Sequence, residues 1–90
     1  AGVSGEIAHN MATLIEEMAS RHQIFTITHL PQMASKGKSH FYVYKDETQQ
    51  RTLSHIRKLN EEERITEIAK MIGGKSPSES ARQSAKELLG

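Results

Sequence analysis

The stretch QIFTITHLPQ, Gln23 to Gln32, decides how the rest of the chain is read. Ile24, Phe25, Thr26, Ile27 and Thr28 are all β-branched or aromatic. A short run of this kind, closed by a polar residue on one side and a proline on the other, predicts a strand over 23–28 buried on both faces. His29 ends the run, two residues before Pro31. In open α/β sheets ligands bind beyond the carboxyl ends of strands, so an imidazole at that point is placed to face a bound molecule. A histidine that simply closes the strand is an equal reading of the spacing.

Upstream, Ile7, Ala8, Met11, Leu14, Ile15 and Met18 recur at helical spacing. They predict an apolar stripe on a helix from about Gly5 to Ser20, capped by Ser4 and with Glu6 in its first turn. Downstream, Phe41 to Tyr44 reads as a strand and Arg51 to Leu59 as its partner, joined by the polar segment Asp46 to Gln50. Leu53, Ile56 and Leu59 also fit a helical spacing of three. The hairpin is preferred because a strand needs a neighbour and the connection is short. Asn60 with Glu63 is a capping-box pattern, after which Ile65, Ile68, Ala69 and Ile72 line one face until Gly73 and Gly74 stop the helix. Ser76, Pro77 and Glu79 repeat the start signal, with Pro77 at the first helical position. Ala81, Ala85, Leu88 and Leu89 then give a weaker stripe, predicting a last helix docked on the rest.

Composition narrows the function. Ninety residues make one small domain, and a mean hydropathy of -0.60 suits a polar chain with a thin core. The absence of cysteine removes disulfides and thiolate metal sites. Twelve basic and eleven acidic residues leave a net charge of +1, with no global bias toward nucleic acid or membrane. Neither a membrane span nor a signal-peptide pattern is evident, so a cytoplasmic protein is expected. Gly73-Gly74-Lys75-Ser76 resembles the end of a phosphate-binding loop, but that loop needs a glycine where Ala69 stands and a strand before it. Histidines 9, 22, 29, 40 and 55 show no i, i+4 pair on one helix, so no metal site is expected. The basic residues of 51–58 read as a solvated face, and the methionines at 11, 18, 33 and 71 as fillers of core gaps.

The N-terminus, Gly2-Val3-Ser4-Gly5-Glu6, is a second candidate constellation. Two glycines and a serine at a helix start can present backbone N–H groups to an anion, although a plain glycine turn with a serine cap is the favoured reading when they are taken alone. Its order relative to an amphipathic helix and to THLPQ adds weight. That order resembles the C-terminal part of the ATP-binding head of the RecN family, bacterial DNA-repair ATPases related to the chromosome-maintenance and ABC families. In that family a loop close to D-T-G-V-S-G-E follows the Walker B strand. Gly2, Val3, Ser4, Gly5 and Glu6 match it, while Ala1 stands where the family often has Thr. The family's I-T-H-L-P-Q matches Ile27 to Gln32. A K-L-x-E-E-E-R-x-x-E-I-A-x-M pattern matches Lys58, Leu59, Glu61, Glu62, Glu63, Arg64, Glu67, Ile68, Ala69 and Met71.

The resemblance spans nearly the whole chain and implies an α/β fold, with residues 1–90 forming one partial domain of a P-loop NTPase head. In that head a buried strand and a β-hairpin pack with helices. It implies that His29 is the switch histidine contacting the γ-phosphate, and that Gly2, Val3, Ser4 and Gly5 form the D-loop crossing between two heads that sandwich ATP. It further implies ATP and Mg2+ in the intact parent and none bound by these residues alone. The implied partners are the remainder of the head, a second head and DNA reached through the parent, in a cytoplasmic, nucleoid-associated protein with no membrane role. A complete P-loop, an L-S-G-G signature and an acidic pair after a strand are missing from the sequence, so no ATP hydrolysis is expected from this segment alone. Two alternatives stand beside this reading: a head segment of another ABC or chromosome-maintenance ATPase, and a stand-alone protein-interaction module.

Overall fold

Asn60 sets the best-defined boundary of the molecule. Its side chain accepts the Glu63 N–H at 2.9 Å, while the Glu63 carboxylate accepts the Asn60 N–H at 3.0 Å, completing the predicted capping box. Three glutamates then fill the first turn of the helix, where carboxylates complement its dipole. Gly74 ends this helix with φ at +86°, a conformation that suits glycine, and its N–H bonds the Lys70 carbonyl at 2.8 Å.

In the computed structural model, which describes residues 5–46 and 53–90, the order is α1 (Gly5–Ala19), α2 (Pro31–Ala34), β1 (Phe41–Asp46), β2 (Leu53–Lys58), α3 (Glu61–Gly73) and α4 (Glu79–Leu89). The architecture is thus mixed helix and sheet, compatible with an α/β class. No helix among the described residues is long and apolar enough to cross a membrane. The start of α4 differs from expectation. Ser78, not Ser76, is the cap, accepting the Ala81 N–H at 3.1 Å, so Pro77 lies before the cap and not at the first helical position.

The core lies between α3 and α4, where Ile68, Ala69 and Ala85 are buried and Ala34, Ile65, Leu88 and Leu89 pack around them. Small residues let the two helices come close. A Cβ built on Gly73 would stand 3.0 Å from the Ala81 Cβ, so the approach at that point depends on a missing side chain.

β1 and β2 pair antiparallel, from Phe41 opposite Lys58 to Asp46 opposite Leu53, and the hairpin reading of this region holds over its helical rival. The connection at 47–52, including Arg51, lies outside the described residues. Alternation sends Phe41, Val43 and Ile56 to one face and Tyr42, Tyr44 and His55 to the other, where the rings stack at 5.9 and 5.2 Å between centroids.

The N-terminal half departs from the sequence reading in three ways. Residues 23–28 run without secondary structure and pair with no strand, and they are not buried: Phe25 is 81% exposed and Ile27 fully so. The physical reason is that a strand needs a backbone neighbour, and the sheet of the described residues contains only β1 and β2. Helix α1 forms over the predicted range, yet it buries Ala8 and Ala12 while Ile7, Met11, Leu14 and Met18 stay exposed. The methionines are not core fillers as a group, since Met11, Met18 and Met71 are exposed. Between α1, residues 23–28, the hairpin and α3 lies an apolar cleft of about 1180 Å³, lined by Ile15, Ile24, Phe41, Val43, Ile56 and Met71 among others.

Candidate functional site

Thr28 turns the extended segment into α2. Its hydroxyl oxygen accepts the Leu30 N–H at 3.0 Å, a local side-chain bond that substitutes for a backbone turn, and lies 4.0 Å from the Met33 sulfur. Pro31 follows at the first helical position with its φ already suited to a helix. The Leu30 carbonyl then accepts from both Met33 and Ala34 at 3.1 and 3.0 Å. His29 is therefore fixed in a defined turn between Thr28 and Leu30, with its side chain exposed.

The first turn of α1 reaches this turn. A Cβ on Gly5 would lie 3.3 Å from the Gln32 side-chain nitrogen, so the start of α1 and the start of α2 are neighbours, and α1 packs against α2. Of the five candidate site residues, Gly5 lies against Gln32, three residues beyond His29 in sequence. Gly2, Val3 and Ser4, and with Ser4 the predicted cap of α1, lie outside the described residues.

The other end of α2 is held by a partly buried polar cluster. A ring nitrogen of His40, Nε2, hydrogen-bonds the Ala34 carbonyl, and Nδ1 accepts from Arg64 Nε at 3.3 Å. Arg64 also donates to the Gly37 carbonyl at 2.8 Å and to Glu61 at 2.9 Å. Burial holds the His40 pKa below the ordinary 6.5, against the raising effect of the Ala34 bond. Sequence reasoning considered His40 only as a metal ligand. Its partner stands 24 positions away on α3, and no local pattern connects the two. The glycine-glycine-lysine-serine segment follows a helix, as predicted, and Gly74 serves as its cap.

No family model matches the chain. Among curated proteins it is similar to DNA repair protein RecN of Halalkalibacterium halodurans, 40% identical over 88 residues. It is also similar to RecN of Deinococcus radiodurans, 39% identical over 89 residues, and of Bacillus subtilis, 36% identical over 88. These matches take in 98 or 99% of the chain but only 15 or 16% of each relative, so it spans about one sixth of their length. The segment is thus similar to part of a class of proteins named for DNA repair. More narrowly, it is a homologue of the C-terminal region of RecN.

Proposed function

We propose that this chain is the D-loop-to-C-terminus part of a RecN-type ATPase head, and that the longer protein acts in recombinational repair of DNA double-strand breaks. The observation that carries the reading is the meeting of the α1 start at Gly5 with the α2 turn three residues beyond His29. On this reading Gly2, Val3, Ser4 and Gly5 are the D-loop, and His29 is the switch histidine of an ATP site shared between two heads. ATP with Mg2+ supplies the phosphoryl group to be transferred. An exposed imidazole held in a capped turn suits one edge of such a site, because a fixed N–H donor stabilises charge that grows on the transferring group. His29 need not act as a base to do this. The phosphate-cradling lysine and the acid that orients water belong to other parts of the longer protein.

The partners follow from the same reading. The remainder of the head would cover Phe25, Ile27 and the apolar cleft and give residues 23–28 their strand neighbours; a second head would meet the D-loop; and DNA would be engaged by the parent. The localisation is cytoplasmic and nucleoid-associated.

Replacing His29 with alanine in the full-length protein tests the reading. Turnover is expected to fall about a hundredfold, the loss typical of one transition-state donor. The dissociation constant for ATP should stay within about twofold. Wild-type turnover in that variant would refute the assignment. The isolated 90-residue chain should show no ATPase activity, and micromolar ATP binding by calorimetry would contradict its status as an incomplete site.

A further inference from the structure

We infer that His40 and Arg64 form a latch that positions the turn bearing His29, an assignment that rests on the reading of His29 given above. Helix α2 is four residues long and has no buried side chain, so it lacks the length to be stable by itself. Its conformation is imposed from both ends. Thr28 holds the start through the Leu30 N–H, and His40 holds the end through the Ala34 carbonyl. Arg64 in turn ties His40 and the Gly37 carbonyl to α3, and its side chain is only 15% exposed. The His40 carbonyl accepts the Leu59 N–H at 2.9 Å, which anchors the same residue to the end of the hairpin.

The donor and acceptor pattern fixes the state of the ring. A guanidinium only donates, so Nδ1 of His40 must be the acceptor and the proton must sit on Nε2, where it meets the Ala34 carbonyl. This is a neutral imidazole in one tautomer. A second proton would set an N–H against the Arg64 N–H and add a positive charge beside the guanidinium. The charged groups that face the ring are Arg64 and Glu61 of α3; α2 contributes none, and Lys36 and Lys38 flank it in the connecting loop. The line of force runs from α3 through Arg64 and His40 to Ala34, and through α2 to His29. His40 is a positioning residue, distant from the reacting atoms.

Two variants of the full-length protein separate the roles, with His29→Ala as reference. His40→Phe removes both ring bonds, whereas His40→Gln keeps one donor and one acceptor and cannot titrate. In His40→Phe, the Ser35, Lys36 and Gly37 amides should exchange with deuterium about tenfold faster, as expected for loss of a local restraint. Turnover should drop about five- to tenfold with the ATP KM within about twofold, because positioning and not binding is lost. The full-length protein should lose activity as pH falls below the ordinary imidazole value of 6.5 and His40 takes a second proton, and His40→Gln should restore turnover and remove that loss. Should His40→Phe fail to fold, Arg64→Lys, which cannot reach both acceptors, carries the same expectation. Unchanged amide exchange overturns the latch. Faster exchange with wild-type turnover overturns the positioning role. If His29→Ala itself keeps wild-type turnover while exchange responds as stated, it is the reading of His29 that fails.

Discussion

The α3–α4 half and the half formed by α1 and residues 23–28 follow opposite rules. In the first, both helices have side-chain N-caps, and the apolar positions at 65, 68, 69, 81, 85, 88 and 89 meet within one short stretch of chain. In the second, an equally regular apolar pattern is left in solvent, with Phe25, Ile27, Leu14 and Ile7 all more than half exposed. The pattern is equally strong in both, but among the described residues the second buries only Ala8 and Ala12 of α1 and leaves these large apolar side chains exposed to solvent. A hydrophobic run therefore says that something will cover it, not that the covering lies nearby in sequence.

That contrast can be broken or sharpened by substitution. The largest effect is expected at Ile68, the one large side chain that is fully buried among the described residues: Ile68→Ala should cost about 2–5 kcal/mol in chemical denaturation. A loss below about 1 kcal/mol would mean that the α3–α4 core is not the stabilising unit. Next comes Gly74→Ala, which places a Cβ at φ +86° and should cost about 1–3 kcal/mol, read from the same denaturation midpoint. Asn60→Ala removes one half of the capping box and should cost about 1 kcal/mol. Its partner gives a pH signature. The Asn60 N–H, followed by the Arg57 side chain, holds the Glu63 carboxyl below the ordinary 4.5. A depressed folded value means stabilisation present above 4.5 and lost as pH falls through the folded value, so Glu63→Gln should flatten the acid limb of the stability curve. Smallest of all should be Ile27→Asn, within about 0.5 kcal/mol in the isolated chain because the side chain is already in water. The same change in the full-length protein should be clearly destabilising. A large loss in the isolated chain would show that the segment packs against its own molecule.

Legibility in the sequence followed the range of the interactions. Asn60, Glu63, Gly74 and the alternation of Phe41 to Tyr44 are signals that act within a few residues, and the helix limits and hairpin came out accordingly. The second start signal was displaced by two residues because Ser76 and Ser78 are both good caps and only geometry chooses between them. Residues 23–28 misled for a different reason: β-branched composition reports suitability for a sheet, while strand formation is decided by a neighbour that composition does not contain. At the candidate site, His29 stood out through its position after that run. The Gly5 to Gln32 contact and the Arg64 to His40 bond join residues 27 and 24 positions apart, beyond any motif.

The short chain distance between the facing helices has a kinetic consequence. Contacts such as Arg82 to Thr66 close a loop of only 16 positions, a small entropic cost, so the α3–α4 pair belongs to the rapidly formed kind of structure. Ala34, which packs on that core, can find its place only once the pair exists. The helical pair is then expected to form first, with the turn carrying His29 docking on it afterwards. Core substitutions at Ile68 should slow refolding, while substitutions at His40 should mainly speed unfolding.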